Sequence, residues 1–185
     1  CTTHTKPGIY SGRYYQLNER KSDPMIVYHG SYCRVERPEL TFSREKLDFG
    51  KGFYITPIRE QAERWSKRFL RARKAAILNV YELDENLLKS SGFKVKTFTA
   101  YDEEWLDFIF ACRKGETIYL QYDVIIGGVA NDNVFATLDA YFSGYMSKDI
   151  ALDRLKYEKP NHQICILNDA ILEQYLVFKE AIDLI

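Results

Sequence analysis

The sequence lacks the features of a membrane protein, a metalloprotein or a disulfide-bonded scaffold. No run of 18 or more apolar residues occurs, so no segment is predicted to span a membrane. The first residues do not show the charged-then-apolar pattern of a signal peptide. Only four cysteines occur in 185 residues, without a CxxC pair, and no histidine stands at ligand spacing to a cysteine. We therefore expect free thiols, no metal site and a cytoplasmic protein, although the sequence leaves delivery into another cell open.

The sequence also lacks an excess of either charge. Lys and Arg number 26, and Asp and Glu number 26. This balance argues against a protein whose main task is to neutralise nucleic-acid phosphates or to coat an acidic membrane. One local exception is "KRFLRARK" at 67–74, with five cations in eight residues. We interpret this run as the solvated C-terminal end of a helix, where cations complement the helix dipole.

Apolar and aromatic residues are plentiful enough for one well-packed domain. Hydrophobic residues make up 46% of the chain, which includes 14 Tyr and 11 Phe. Such aromatics fill a core, and they also suit the stacking of a planar ligand. Residues 1–24 show no sustained periodicity and end in Asp-Pro before Met25. The sequence therefore predicts an appended or extension segment at 1–24 and one folded domain at 25–185.

Short strands and helices intermingle along this domain, without internal repeats. The motif "GKGFY" lacks the Lys-Ser/Thr of a Walker loop and the strand-to-helix context of a Rossmann loop. The pattern predicts an α+β domain, with a split pair of small sheets and helices packed outside. Predicted strands lie at 25–32, after the turn within 48–57, at 75–83, 93–99, 122–132 and 161–168 and at the C-terminus. The apolar stretch 75–83 is typical of a central strand, and the alternating stretch 93–99 of an edge strand. Predicted helices lie at 58–74, with Ala62, Trp65, Phe69 and Ala72 on the apolar face, at 102–115, 133–144 and 147–159, and in short pieces at 84–91 and after 168.

Three polar stretches stand at strand ends within apolar surroundings. They are His29-Gly30 in "MIVYHGSY", the turn and strand at 50–54, and the stretch 161–163 before "ICIL". Each taken alone is ordinary, because a histidine at a strand end is usually a hydrogen-bonded structural residue. Their order along the chain is more informative than any one of them.

Together these stretches resemble the ADP-ribosyltransferase superfamily, in the diphtheria-toxin and poly(ADP-ribose)-polymerase branch with its His-Tyr-Glu triad. More narrowly, three stretches over about 25–180 are similar to the bacterial DUF3990 family, whose members are often encoded beside a small partner protein in toxin–antitoxin fashion. The stretches are "YHGSYCRVERPEL…SREKLDFGKGFYITPIREQAERWS", "YDVIIGGVANDNVFATLDAYFSG" and "ALDRLKYEKPNHQICILN". The resemblance implies an ADP-ribosyltransferase-like split β-sheet core with peripheral helices, and NAD as the substrate.

The resemblance also implies where NAD binds. The main chain of Gly30 would pair with the nicotinamide carboxamide, and the missing side chain would let the ligand come close. His29 would bond a ribose hydroxyl through one ring nitrogen while the protein fixes the other. Tyr54 would stack on nicotinamide, since strand alternation sends Phe53 into the core. The remaining cofactor-binding residues are Ser31, Gly52 and Arg44, the last a candidate for the pyrophosphate.

The third catalytic position departs from the triad, because Gln163 stands where the family pattern has glutamate. Glutamine keeps the hydrogen-bonding reach but lacks the charge that stabilises an oxocarbenium-like state, and it cannot act as a base. Three alternatives follow. The acceptor is already nucleophilic, Glu158 or Asp132 supplies a carboxylate, or the fold binds NAD and turns it over slowly. Both carboxylates also have plain structural explanations, as a surface residue and as part of a turn.

The sequence therefore predicts an NAD-dependent mono-ADP-ribosyltransferase that modifies a macromolecule, restrained by a small antitoxin partner. A protein acceptor is favoured over nucleic acid, which draws only on the basic run at 67–74. NAD glycohydrolysis is an alternative within the enzymes. A catalytically silent NAD-binding interaction module is an alternative from another class, and Gln163 supports it.

Overall fold

The computed structural model describes residues 23–89, 92–130 and 132–185. The predicted extension at 1–24 thus lies almost entirely outside the described residues. Within them, seven strands form two separate sheets with helices around them, which confirms the α+β expectation and the pair of small sheets.

The first sheet contains three antiparallel strands in the order β1-β3-β7. Its central strand has the most apolar sequence, "ILNVYEL", and buries five of its seven residues. This confirms the prediction of a central strand at 75–83, because only a strand with neighbours on both sides needs so few polar positions. The strands are β1 (Met25–Ser31), β3 (Ile77–Leu83) and β7 (Leu176–Asp183).

The second sheet contains four strands in the order β2-β6-β5-β4. Its pairs are antiparallel except that of β4 with β5, which is parallel. The alternating stretch at 93–99 was predicted as an edge strand, and β4 does lie at the edge. The strands are β2 (Phe53–Ile55), β4 (Val95–Thr97), β5 (Val124–Gly127) and β6 (Gln163–Ile166).

The predicted helices are present, but the first of them differs from its prediction in where it ends and in which residues it buries. They are α1 (Arg59–Lys67), α2 (Asn86–Lys89), α3 (Glu103–Lys114), α4 (Asp132–Phe142), α5 (Lys148–Leu155) and α6 (Asp169–Gln174). The helix predicted to run to residue 74 ends as an α-helix at Lys67 and continues as a 3-10 helix over Arg68–Ala72. Trp65, predicted on the buried face, is 44% exposed, whereas Ala62 and Ser66 are buried against β1.

The helix α3 shows how local sequence sets these boundaries. Asp102 caps its N-terminus by accepting a hydrogen bond from the Trp105 N–H at 2.9 Å. Gly115 ends it in the left-handed conformation, with φ of +92°, which side chains disfavour. The cap and the stop hold the indole of Trp105 inside the core, where its N–H donates to the Gly128 carbonyl.

Two apolar cores lie on the two faces of the second sheet. One fills the space between the sheets and includes Val27, Phe53, Ile55, Tyr81, Leu83, Ile164 and Ile166. The other packs the opposite face of that sheet against α3, α4 and α5 and includes Phe49, Trp105, Ile109, Leu138, Leu155 and Cys165. In the described ranges no helix combines the length and the apolar character needed to cross a membrane.

Candidate functional site

Among the described residues, an isolated bridge joins the two sheets, and His29 lies beside it. Tyr28 and Thr56 exchange two main-chain hydrogen bonds, at 2.8 and 3.0 Å, in an isolated antiparallel bridge. In a continued ladder, Gly30 would next pair with Tyr54. Instead, Nδ1 of His29 lies 2.7 Å from the carbonyl oxygen of Tyr54. The imidazole therefore takes the acceptor of the next rung, and the ladder stops there; we call the place of that missing rung between β1 and β2 the gap.

This contact fixes the protonation of the imidazole. A carbonyl oxygen only accepts hydrogen bonds, so Nδ1 of His29 must carry the proton. Burial lowers the pKa of His29, and the hydrogen bond to the Tyr54 carbonyl offsets part of this effect. The ring also packs against Phe53, with ring centres 4.5 Å apart. A neutral ring held in this way leaves Nε2 as an acceptor for a hydroxyl group.

Acidification is expected to destabilise the protein through this histidine. Because the folded state has the lower pKa, the unfolded chain binds the proton first as pH falls below the ordinary value of 6.5. The contribution of neutral His29 to the free energy of unfolding is thus fully present above that pH. It is lost as the pH falls from there to the folded-state pKa, at no more than about 1.4 kcal/mol per pH unit. Urea unfolding of the wild type and His29→Asn over this range measures the effect. The carboxylates titrate in both proteins, so parallel curves would contradict the prediction.

The main chain of Gly30 borders the gap, and the position that a Cβ would occupy faces the helix α1. The N–H and C=O of Tyr28 point to β2, so strand alternation directs those of Gly30 to the same side, into the gap. A Cβ at Gly30 would lie 2.2 Å from the Ala62 carbonyl oxygen and 3.0 Å from the Ser66 nitrogen. The absence of a side chain is therefore explained by the close approach of α1. Nicotinamide binding by this main chain stays a prediction.

The chain beyond Gly30 is held by Asn79, a residue that the sequence reasoning missed. Asn79 is fully buried in β3, opposite His29. Its Oδ1 accepts a hydrogen bond from the Val35 N–H at 2.8 Å, and its Nδ2 donates to the Cys33 carbonyl at 3.1 Å. Ser31, a predicted cofactor-binding residue, accepts a hydrogen bond from the Cys33 N–H. The signal available was an amide in the middle of the apolar strand "ILNVYEL".

Tyr54 is anchored on the face of β2 opposite to the His29 ring. Its hydroxyl accepts a hydrogen bond from the Phe49 N–H at 3.0 Å and donates one to the Gly50 carbonyl at 2.7 Å. Burial is the main cause that raises the pKa of Tyr54, so the phenol stays neutral. Phe53 points into the core between the sheets, as predicted. His29 thus contacts the main chain of Tyr54, and stacking of its ring on nicotinamide stays a prediction.

Gly52 and Arg44 lie near β2 in different environments. A Cβ at Gly52 would lie 2.4 Å from the Cys165 sulfur and 2.8 Å from the Ile166 carbonyl oxygen, so packing against β6 explains this glycine. Arg44 is exposed and enters none of the ion pairs among the described residues. Its loop is tied to the strand by Ser43, whose hydroxyl donates to the Gly52 carbonyl at 2.7 Å. The guanidinium is therefore free to meet an anion.

Gln163 begins β6, next to the sheet junction. It pairs with Gly127 on one side, and the register of β2 with β6 places Thr56 opposite it on the other. Strand alternation puts Gln163 on the face that carries Cys165 and the Tyr54 ring. The His29 ring packs against Phe53, so His29 and Gln163 stand on opposite faces of the second sheet.

The two alternative residues belong to other segments of the chain. Glu158 is in the turn after α5, where it contributes to the raised pKa of Tyr101 after the larger effect of burial. Asp132 is the first residue of α4, and its neighbour Asn131 lies outside the described residues. Neither is placed on β1, β2 or β6.

Two cavities open at the segment 158–162 that precedes β6, and Gln163 lines neither of them. The first, of about 280 Å³, is lined by Thr97, Phe98, Thr99, Ile126, Gly127, Gly128, Pro160, Asn161 and His162. The second shares Thr99 and Pro160 with it and includes Glu158. His29 and Tyr54 line neither cavity. Among the described residues, no group of three or more His, Cys, Asp or Glu could hold a metal ion.

Fold and junction together define an α+β protein in which a histidine of one sheet hydrogen-bonds the main chain of the other beside the bridge that joins them. The chain belongs to the DUF3990 family, described as a protein of unknown function, whose model matches residues 25–178. This confirms the family resemblance seen in the motifs. No curated protein and no solved structure matches the chain.

Proposed function

We propose that the protein is an NAD-dependent mono-ADP-ribosyltransferase with an ADP-ribosyltransferase-like split-sheet core. The observation that carries the proposal is the hydrogen bond from Nδ1 of His29 to the Tyr54 carbonyl. It takes the acceptor that the next rung between β1 and β2 would use, beside the main chain of Gly30. A purely structural histidine does not need to displace a rung of the ladder where the sheets join.

The gap offers complementary groups for two parts of NAD. The N–H and C=O of Gly30 suit a carboxamide, which carries both an acceptor and a donor. Nε2 of His29, as an acceptor, suits a ribose hydroxyl. Arg44, exposed and without an ion-pair partner in the described chain, supplies a cation for the pyrophosphate. Ser31, Gly52 and Tyr54 complete the proposed contacts.

In the proposed reaction, the bond between the ribose C1′ and the nicotinamide nitrogen breaks, and its electron pair leaves with nicotinamide. The ribose carries the positive charge until a nucleophilic atom of the acceptor bonds to C1′ and gives up its proton. Gln163 can orient a ribose hydroxyl through its amide but cannot take that proton. We therefore propose an acceptor that is already nucleophilic, with Glu158 or Asp132 as alternative sources of a carboxylate.

The wider setting is also a proposal. We propose that the enzyme acts as the toxin of a toxin–antitoxin pair in the cytoplasm, with a small protein partner. This extends the family resemblance to a chain whose family assignment is secure. Such a partner would restrain turnover by covering the gap between β1 and β2.

The glutamine at position 163 favours a second candidate function. A fold that binds NAD through His29 and Gly30 but lacks the carboxylate would act as a silent NAD-binding interaction module. NAD glycohydrolysis remains the alternative in which water is the acceptor. The three functions differ in their products.

Incubation of the purified protein and a cell lysate with NAD separates them. Label in the adenylate phosphate follows ADP-ribose, and free nicotinamide reports bond cleavage. Label on a macromolecule together with free nicotinamide supports the transferase. Nicotinamide and free ADP-ribose without labelled macromolecule indicate the glycohydrolase. A rise in Tm with NAD but no nicotinamide indicates the silent module.

Restoring the carboxylate at position 163 is expected to increase turnover. In the proposed complex, a glutamate there adds a negative charge where positive charge grows on the ribose, and one such preorganised electrostatic group is worth about 100-fold or more in kcat. Nicotinamide release by Gln163→Glu and the wild type measures the change. Gln163→Met, of similar volume without charge, is the matched control. Equal rates for Gln163→Glu and Gln163→Met would remove this position from the site.

A further inference from the structure

A basic–aromatic surface lies beside the Gly30 segment. We define it as Tyr32, Trp65 and the run 67–74. The ring of Tyr32 meets Phe69 edge-on, with centres 5.3 Å apart, and Nζ of Lys74 lies 4.2 Å above the same ring. The Arg68 guanidinium lies 4.9 Å from the centre of the Trp65 ring. Aromatic rings and cations from two separate segments therefore alternate on one surface.

The basic run contains no carboxylate of its own. Residues 64–74 contain six cations and no carboxylate, in a chain whose total charge is zero. Lys67, Arg71 and Arg73 are exposed and make no ion pair with any described residue. The sequence placed these cations at a helix end. That interpretation explains part of them, but the α-helix stops at Lys67 and most of the cations follow it.

The aromatic rings are exposed although they are large and apolar. Tyr32 is 47% exposed and Trp65 is 44% exposed. Binding of an acidic protein would need only the cations and would not account for the exposed rings. Flat rings interleaved with guanidinium groups suit stacked bases joined by phosphates, because every base has a face for stacking and every phosphate a negative charge.

We propose that the basic–aromatic surface binds single-stranded nucleic acid. Bases stack on Tyr32 and Trp65, and the cations of 67–74 contact the phosphates. Since Tyr32 follows Gly30 by two residues and α1 packs directly on Gly30, a bound strand runs past the gap between the sheets. Binding itself is independent of the proposed function. Only the further step, in which the bound strand accepts ADP-ribose, rests on the proposed function.

The test is fluorescence anisotropy without NAD, using labelled oligothymidylate and oligouridylate of about 20 nucleotides. We expect single strands to bind more tightly than a duplex of the same length. Tyr32→Ala is expected to weaken binding about tenfold. Lys67→Ala/Arg71→Ala should lower the slope of log K against log salt by about 1.4, from two lost phosphate contacts. Lys94→Ala/Arg154→Ala removes two exposed cations elsewhere and is expected to leave binding unchanged.

Three results would overturn the proposal. The first is no binding at about 50 mM salt, where phosphate contacts are strong. The second is equal affinity for the single strand and the duplex. The third is that polyglutamate displaces the strand as effectively as unlabelled oligonucleotide does. The last would indicate a surface for an acidic protein. Melting of each variant by circular dichroism separates lost binding from lost folding. Because no NAD is present, the result does not depend on whether ADP-ribose transfer occurs.

Discussion

Replacing His29 with alanine is expected to lower kcat/KM for NAD turnover at least about 100-fold. The side chain does two things at the sheet junction. Its Nδ1 donates to the Tyr54 carbonyl, the acceptor of the next rung between β1 and β2, and its Nε2 is left as an acceptor, which we propose bonds the ribose. Alanine removes both, so the ribose loses its partner while the Tyr54 carbonyl loses its donor.

Two further substitutions separate these roles. The amide nitrogen of asparagine reaches the position of Nδ1, so His29→Asn keeps the bond to Tyr54 and lacks the outer acceptor. Glutamine reaches the position of Nε2 and loses the inner bond. We expect His29→Asn to unfold in urea close to the wild type and to be as inactive as alanine. His29→Gln should retain more activity and less stability.

Nicotinamide release and urea unfolding of the three variants provide the measurement. Lys94→Ala, an exposed cation distant in sequence from the junction, is the control for nonspecific loss. An asparagine variant with wild-type turnover would show that the outer nitrogen does not touch substrate. In that case the imidazole is only a structural residue.

Much of the fold could be predicted from the spacing of apolar residues along the sequence. The buried run at 75–83 had to be a central strand, and the alternating stretch at 93–99 an edge strand, because each pattern matches one position in a sheet. The residues of α3 carried their own start and stop signals in Asp102 and Gly115. His29 was singled out for a related reason, since a polar ring at the end of an apolar strand needs a partner; its role toward NAD stays a prediction.

What escaped prediction depends on contacts between distant segments. Helical spacing put Trp65 inside, but α1 crosses β1 so closely at Gly30 that only Ala62 and Ser66 fit there. The partner of His29 is a main-chain carbonyl 25 residues away, which no side-chain pattern shows. Gly52 has a similar origin, because its neighbour is the sulfur of Cys165.

Asp48 is another residue whose importance only the structure shows. Its carboxylate accepts hydrogen bonds from two nitrogens of Arg113, at 2.7 and 2.9 Å, and from the Ala130 N–H at 3.3 Å. The two side chains are only 15% and 21% exposed. Phe49, the next residue, is fully buried and its N–H holds the Tyr54 hydroxyl. The ion pair therefore fixes the loop that anchors Tyr54.

Asp48→Ala is accordingly expected to lower the free energy of unfolding by about 3 kcal/mol, because it leaves the guanidinium of Arg113 largely buried without a counter-charge. The double variant Asp48→Ala/Arg113→Met is expected to recover most of that loss. Methionine removes the unpaired charge and keeps an apolar chain against Phe135 and Phe142, whose rings the guanidinium now faces. Urea unfolding of the wild type, the two single variants and the double variant gives the coupling between the residues. A loss below about 0.5 kcal/mol for Asp48→Ala, typical of a surface substitution, would mean that solvent already screens the pair.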